Sequence, residues 1–415
     1  MNMINPTIQT EPVAPSIWRS PAFMILLGAG AVMALGNKIY ELALPLILYD
    51  FTKSSVIMSA MRGIEFLPNL LLAMFIGVIV DRVHKKRWSL TAILLQIVIL
   101  AVLYLAIENG YQAAPMFYVA GFMLMTFGYA YSNARVAMVK HSLPQALLTP
   151  ANASYNFVTT FISIAGPVLS GFLLMLPKMH EALLLTAVAF SLAFVTLSFI
   201  RTNEPVRAAA GSREGFWKEL RAGWTELRSN RLLLSMSIAV VFLNSTSGMV
   251  DTTIIFFAKD ELMLSNLELG IVFSAAGLGG LAGSLLIVKL RTLFPVGRLI
   301  TLSCLFTGLT SILFYMSHSV YLLAGGLFLY GCFETISTVS IWTFRQETTP
   351  YHLIGRVSGI TGSIFKLGMP FAIVASGWIS ELSGPRTVFL ITIAANLLIF
   401  CGCLLSPLWR QRESS

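Results

Sequence analysis

Apolar residues form twelve long runs along this 415-residue chain, with short polar stretches between them. About 20 residues is the length at which an α-helix crosses a hydrocarbon core of ~30 Å. The pattern therefore predicts twelve membrane-spanning helices, with boundaries good to ~2–4 residues. Numbered 1 to 12, the predicted spans cover residues 21–49, 55–80, 88–107, 115–139, 151–176, 182–200, 232–258, 267–290, 299–317, 321–342, 357–380 and 388–406.

Composition supports this assignment. Apolar residues make up 56% of the chain and charged residues 11%, against roughly 25% charged residues in soluble domains. So much apolar surface needs lipid as a second solvent, which excludes a soluble globular protein. The run after Arg19 continues past Tyr40, too long for a signal-peptide core, so we expect span 1 to be retained. The predicted fold class is an all-α integral membrane protein.

Lysine and arginine are distributed unequally between the two sides of the predicted membrane. Twelve spans put both termini on one side, which holds 21 of these residues, whereas the other side holds Lys53, Lys178, Lys259 and Arg386. The positive-inside rule then makes both termini and the long central loop cytoplasmic. The net charge of +9 comes from these separate loops, which argues against a nucleic-acid partner. We expect a monomeric, multi-pass protein of the bacterial cell membrane.

A weak internal repeat divides the chain into two halves. At an offset of 206 residues, Gly77 matches Gly283, Pro144 and Leu147 match Pro350 and Leu353, and Ser170-Gly171 matches Ser376-Gly377. We predict an N-terminal six-helix half at 1–200, a linker at 201–231 and a C-terminal half at 232–415. Together these form two pseudo-symmetric bundles around a central cavity, where solute sites of duplicated carriers lie.

The linker contains apolar residues at helical spacing among charged ones. They are Phe216, Trp217, Leu220 and Trp224. This pattern predicts an amphipathic helix on the cytoplasmic membrane surface, with a flexible solvated linker as the alternative.

The loop after span 2 carries a motif, Gly77-Val-Ile-Val-Asp81-Arg82-Val-His-Lys85-Lys86. The Gly, the Asp-Arg pair and the basic pair resemble the loop 2–3 signature of the major facilitator superfamily. The resemblance implies a secondary transporter in which this segment is a cytoplasmic gating contact. An ordinary positive-inside loop is the plainer interpretation. The second half keeps Gly283 but lacks the Asp-Arg pair, so we expect any charge latch to be asymmetric.

Span 5 contains a second motif, Gly166-Pro167-Val-Leu-Ser170-Gly171, similar to the helix 5 signature of exporters in that superfamily. The fuller signature has glycine where this chain has Ile162 and Ser170. Proline kinks a helix and small residues permit close packing, so a purely structural kink is the alternative. Loop residues after spans 4 and 10, including Asn133, Arg135 and Arg345, look like the branch of bacterial drug, macrolide and siderophore exporters.

Seven ionisable acidic and basic residues lie at least seven residues inside the ends of predicted spans, where each costs roughly 2.5–3.5 kcal/mol unless paired or in contact with water. They are Lys38, Glu41, Arg62, Glu65, Asp251, Glu334 and Lys366. The first four form two pairs three residues apart, and these pairs fit either a functional site or structural ion pairs. Asp251 and Glu334 have no basic residue within one helical turn. We therefore expect Asp251, Glu334 or Glu41 to carry a coupling proton.

Polar stripes on spans 1, 7 and 10 predict where the substrate lies, because polar faces in lipid turn toward protein or water. The substrate-cavity candidates are Asn37, Lys38, Tyr40, Arg62, Glu65, Tyr129, Asn244, Ser247, Tyr330 and Lys366. Lys366 is a candidate partner for Glu334 or for an anionic solute, and the sequence does not choose between them.

Other classes of function lack their signatures. The chain has no phosphate-binding loop, no clustered catalytic groups, no cysteine framework and no intramembrane histidine, so we expect no enzyme, cofactor or metal site. No span shows the filter loop of a channel. The sequence favours a proton-coupled exporter of an amphipathic organic compound working by alternating access. An uptake symporter or facilitator is the alternative.

Overall fold

A computed structural model describes residues 17–72, 83–144, 147–200, 216–349 and 354–410, and the structural statements below concern these ranges. Nearly all of them are helical. A 3-10 turn at Ile17–Arg19 leads into α1, whose first turn is capped by the Ser20 hydroxyl. The helices of the first half are α1 (Pro21–Thr52), α2 (Ser55–Leu71), α3 (Lys85–Glu108), α4 (Ala114–Ser142), α5 (Leu148–Leu173) and α6 (Glu181–Ser198).

The linker and second half continue the same pattern. The linker helix is α7 (Phe216–Ser229), and the helices after it are α8 (Arg231–Phe256, extended by a π-helical turn at Phe257–Glu261), α9 (Asn266–Leu293), α10 (Val296–Tyr315), α11 (Val320–Thr348), α12 (Ile354–Ile364), α13 (Met369–Ser383), α14 (Pro385–Leu405) and α15 (Pro407–Arg410). Helices α1 to α6 correspond to spans 1 to 6 and α8 to α11 to spans 7 to 10. Helices α12 and α13 share span 11, and α14 is span 12.

Ten helical stretches within the described ranges are long and apolar enough to cross a membrane. The other two predicted spans correspond to α2 and α4. Helix α2 ends at Leu71, close to residues that the structure does not describe, and α4 has 29 residues but contains several polar side chains. The all-α membrane fold is confirmed. Span 11 differs from the prediction, because residues 365–368 interrupt it between α12 and α13, and Gly368 and Pro370 bracket the restart.

The helices pack as two bundles that meet along two seams. Helices α1 to α6 contact one another, as do α8 to α14, and the bundles are joined mainly by α5 against α9 and α2 against α13. Large apolar side chains also cover the outside, among them Phe157, Leu285 and Leu398, which are at least 74% exposed. An apolar exterior on this scale is what a lipid-facing surface requires.

The two ends of the bundle carry different contacts. We call the end that holds the loops after α1, α5 and α8 the far end, and the end that holds the start of α1, the end of α14 and α7 the linker end. At the far end, Tyr49 of α1 donates a hydrogen bond to Asp260, and the Ser55 hydroxyl donates to Glu381 at 2.8 Å. Asn266 donates to the Leu174 carbonyl at 2.8 Å. All three bonds join the two halves.

The linker helix packs on the second half. Helix α7 contacts α12 and the start of α8, and Leu227 is buried there with Leu233 and Val357. Trp224 is 49% exposed. An apolar face thus anchors the helix, while its position on a membrane surface stays a prediction.

The seam between α5 and α9 depends on backbone contact at glycine. A Cβ at Gly270 would lie 2.4 Å from the Pro167 carbonyl oxygen, whereas one at Gly325 on α11 would meet nothing within 4 Å. We therefore expect Gly270→Ala to lower the thermal stability of the purified protein by about 1–3 kcal/mol, as overpacking does. Gly325→Ala is the matched control and should be neutral or slightly stabilising. Equal melting temperatures for the two variants would contradict a close backbone contact between α5 and α9 at Gly270.

Candidate functional site

A cavity of about 490 Å³ lies between the two bundles. It is lined by residues of α1, α2 and α5 from the first half and of α8, α9 and α11 from the second. Five of the seven ionisable residues predicted inside spans line it, and they are Lys38, Glu41, Arg62, Asp251 and Glu334. Residues far apart in sequence therefore converge on one polar space in an otherwise apolar membrane region.

Both basic residues of the cavity are paired within the first half. Lys38 Nζ lies 2.8 Å from Glu41 Oε2, and Arg62 Nη1 lies 3.0 Å from Glu65 Oε2. Arg62 Nη1 also donates to the Glu41 carbonyl at 3.0 Å, which ties α2 to α1. Glu65 is only 1% exposed and its Cγ packs toward Gly121 of α4. The Arg62–Glu65 pair thus holds helices together, while Lys38 and Glu41 face the cavity.

Asp251 and Glu334 stand apart from these pairs. They approach the cavity from α8 and α11, and within the described ranges neither forms an ion pair. The positive charges of Lys38 and Arg62 attract the Asp251 carboxylate without forming an ion pair with it, and the Asp251 and Glu334 carboxylates repel each other. The Tyr330 hydroxyl is buried beside Asp251 and Ser247 without a well-formed hydrogen bond. The second half therefore contributes two acidic groups with no fixed counter-ion.

Three candidates lie behind the cavity wall. Tyr40 is 1% exposed, and its hydroxyl points at Met125 Sδ, 3.7 Å away, inside the first bundle. The Asn37 amide and Gln96 lie with it around Gly128. Gln96 of α3 is fully buried and was missed by sequence reasoning, although a lone glutamine in an apolar span was its signal. Tyr129 is partly buried against the same core.

Asn244 and Lys366 mark the break in span 11. The Asn244 side chain donates to the Phe365 carbonyl at 2.8 Å, where the helix between α12 and α13 is interrupted. Lys366 lies within the break and has neither an ion pair nor a side-chain hydrogen bond within the described ranges. The structure does not pair Lys366 with Glu334, because Glu334 has no cation within ion-pair distance.

The span 5 motif forms a packing surface with two faces. The Ser170 hydroxyl donates to the Gly166 carbonyl at 2.8 Å and also lies 3.3 Å from the Lys38 carbonyl of α1. On the other face, the Pro167 backbone meets Gly270, and Gly171 meets the Asn266 backbone. The motif therefore places α5 against both α1 and α9.

The cavity also contains small hydroxyl residues that were not among the candidates predicted from the sequence. They are Thr160, Ser163, Ser284 and Thr335. Serine and threonine are common in membrane helices, where their hydroxyls bond the preceding turn, so they carry little signal. No three His, Cys, Asp or Glu side chains in the described ranges come together as metal ligands would.

The cavity and the paired bundles agree with the comparisons with known proteins. The family model described as Major Facilitator Superfamily matches residues 26–373. The chain belongs to the Major Facilitator Superfamily. It is a secondary transporter of the membrane rather than an enzyme, and its substrates are small molecules.

Two curated relatives cover nearly the whole chain. The chain is 26% identical to "Multidrug efflux pump Tap" of Mycolicibacterium fortuitum, over 95% of this chain and 98% of the relative. It is 22% identical to "Macrolide efflux protein A" of Streptococcus pyogenes, over 94% and 96%. The predicted resemblance to the drug and macrolide exporter branch is confirmed.

Solved structures of the superfamily share the fold. The nucleoside transporter NupG superposes with a TM-score of 0.75 at 13% identity, over 94% of this chain and all of that one. A bacterial homologue of the lysosomal transporter Spinster, in an inward-facing and unoccupied conformation, superposes at 0.73 with 12% identity over 95% and 97%. At these identities the likeness concerns the fold alone.

The superfamily's loop 2–3 motif is described only in part. Gly77, Asp81 and Arg82 lie outside the described residues, so the gating contact stays a prediction. Lys85 and Lys86 begin α3, and Lys86 Nζ donates to the Ser198 and Ile200 carbonyls at 2.7 Å each. A cation at these carbonyls complements the negative end of α6 and fixes α3 to α6.

The Arg62–Glu65 pair provides a test of the site's construction. Arg62→Met leaves the Glu65 carboxyl buried without its partner, which should destabilise the transporter by roughly 3–5 kcal/mol. The double variant Arg62→Met/Glu65→Met removes both charges and should recover most of that stability. Lys38→Met is the control, because the Lys38–Glu41 pair is more exposed, and it should destabilise the transporter less than Arg62→Met does. If the double variant is no more stable in detergent than Arg62→Met, then Arg62 is not the partner that neutralises the buried Glu65 carboxylate.

Proposed function

We propose that this transporter is a proton-coupled exporter of amphipathic organic compounds. The observation that carries the proposal is the pair of acidic groups, Asp251 and Glu334, that face the cavity without a counter-ion. A charged group buried in a membrane protein costs several kcal/mol unless it is neutralised. A proton or a positively charged substrate group neutralises these acids, and the two compete for them. Such competition couples substrate release to proton uptake.

The rest of the cavity suits an amphipathic cargo. Leu42, Ile255 and Phe273 supply apolar lining, and the hydroxyls and charges supply a few polar contacts. Lys38 and Arg62 already have partners, so the negative charge is what remains available. We therefore expect compounds with an apolar body and a cationic group to bind better than anionic ones.

Alternating access follows from where the halves touch. Hydrogen bonds between the halves close the far end, whereas the cavity lining extends toward the linker end through Thr160 and Ser284. By the charge distribution of the loops, we assign the linker end to the cytoplasm. In this arrangement the carrier accepts substrate from the cytoplasm and must break the far-end bonds to release it outside.

Export is favoured by the names of the two relatives, a multidrug efflux pump and a macrolide efflux protein. The span 5 motif agrees with this direction. Uptake by symport on the same scaffold is the alternative, and the direction of movement of labelled erythromycin or ethidium in intact cells distinguishes the two.

Proton coupling is tested with Asp251→Asn and Glu334→Gln in proteoliposomes. Ethidium or erythromycin added to wild-type vesicles should drive a proton flux that at least one variant lacks, because the amide does not titrate. Asp50→Asn is the control, since Asp50 is exposed at the far end and pairs with Lys53. Unchanged substrate-driven flux in both cavity variants would exclude these acids as the proton carriers.

A further inference from the structure

A group of polar side chains lies inside the first bundle, behind the wall that α1 forms for the cavity. Three of their terminal atoms surround Gly128 of α4. A Cβ at that glycine would lie 3.4 Å from the Tyr40 hydroxyl, 3.6 Å from Gln96 Oε1 and 3.8 Å from Asn37 Nδ2. Tyr40 and Asn37 come from α1 and Gln96 from α3. Two helices thus direct polar atoms at one small space beside the backbone of a third.

The protein offers these atoms few hydrogen bonds. Within the described ranges, Gln96 Oε1 and Asn37 Oδ1 are buried and accept none. The partner of the Tyr40 hydroxyl there is the Met125 sulfur, a weak acceptor, at 3.7 Å. A polar atom that is buried without a partner is destabilising, and ordered water is a common partner. A water beside Gly128 can bond all three side chains, which is the usual number of bonds for a buried water.

Toward the cavity, the group continues to Glu65 of α2. Its Cγ would lie 3.3 Å from a Cβ at Gly121, which is seven residues before Gly128 on the same face of α4. One Glu65 oxygen belongs to the ion pair described above, whereas Oε1 is buried and has no hydrogen bond to any residue that the structure describes. The cavity residue Glu41 and Glu65 both act electrostatically on Tyr40. Glu65 therefore neighbours both the cavity acid Glu41 and the polar atoms at Gly128.

Toward the linker end, the group continues on α3 and α4. Ser89 lies seven residues before Gln96 on the same face of α3, about 10 Å nearer the start of that helix. Tyr131 follows Gly128 by one turn of α4 in the same direction. Both are at most 3% exposed, and neither hydroxyl has a hydrogen-bond partner among the described residues. We call the whole set the polar column, which consists of Glu65, Tyr40, Asn37, Gln96, Tyr131 and Ser89.

We infer that ordered water fills the polar column and carries protons from the cavity acids to the linker end, by a route through the first bundle that bypasses the cavity. Each step breaks one O–H bond and forms the next, so protons move along water and side-chain oxygens while no heavy atom is exchanged. The Glu65 carboxylate accepts the proton on the cavity side, and water passes it by Tyr40 and Gln96 toward Ser89. A bulky substrate can then occupy the cavity without blocking proton release.

This inference rests on the proposed function for the direction of proton movement, but the water itself is measurable without transport. X-ray radiolysis converts water bound beside a buried side chain into hydroxyl radicals, which oxidise that side chain. Tyr40 should therefore be oxidised much faster than Phe190, which is fully buried in the same bundle and packs on Gly36 of α1. Equally slow oxidation of the two rings would overturn the water site.

A substitution at Gly128 tests where the water lies. The added methyl group of Gly128→Ala makes only ordinary contacts with the three polar atoms, yet it takes the space beside them. Oxidation of Tyr40 should fall to the level of Phe190. Gly28→Ala is the control, because a Cβ there meets nothing within 4 Å, and it should leave the oxidation of Tyr40 unchanged. Unchanged oxidation of Tyr40 in Gly128→Ala would overturn the site.

A transport measurement tests the proton route. Gln96→Leu removes the amide at similar size and should lower ethidium-driven proton flux in proteoliposomes about tenfold, while ethidium-for-ethidium exchange, which moves no net proton, continues. Gly128→Ala keeps every polar group and should lower the same flux. The control is Thr186→Val, which changes a buried hydroxyl of the same bundle outside the column.

The outcomes separate this route from the proposed function. Wild-type proton flux that Gln96→Leu and Gly128→Ala retain as fully as Thr186→Val would overturn the route and leave the proposed function standing. Rapid oxidation of Tyr40 in a wild-type protein without ethidium-driven proton flux would support the water site and refute the proposed coupling.

Discussion

The cost of an unpaired charge inside a membrane governs this structure. Lipid offers no water to Lys38, Arg62, Asp251 or Glu334, so each must find a partner or border a wet cavity. The first half meets the requirement with two ion pairs, whereas the second half leaves two acids facing the space between the bundles. The apolar exterior, the cavity and the proposed proton exchange all follow from that division.

The seams between the halves determine how the cavity reaches its surroundings. Backbone contact at Gly270 and Gly277 holds α5 against α9, and hydrogen bonds from Tyr49, Ser55 and Asn266 close the far end. Contacts this close are discrete, since glycine packing is either made or lost. A carrier built on them is suited to two alternating arrangements rather than to gradual deformation.

Much of this architecture follows from the sequence because its causes are local. Apolar length predicts the spans, and the three-residue spacing predicts the Lys38–Glu41 and Arg62–Glu65 pairs. The convergence of Asp251 and Glu334 depends on how distant helices pack, so the sequence offered candidates without their geometry. The break in span 11 was missed, because the length of an apolar run does not show whether Gly368 and Pro370 interrupt the helix within it. Gln96 was missed because a single amide in an apolar span resembles a tolerated substitution.

Alternating access is the central claim, and it predicts that the two ends move reciprocally. Spin labels at Gln112 and Tyr321 report the far end, and labels at Lys140 and Lys289 report the linker end. Electron-spin distance measurements in lipid, from alkaline to acidic pH, should show the far-end pair drawing together as the linker-end pair separates, because protonation of the cavity acids resets the empty carrier to the state that is open at the linker end. Distances that change in the same direction at both ends, or that ignore pH, would contradict the account.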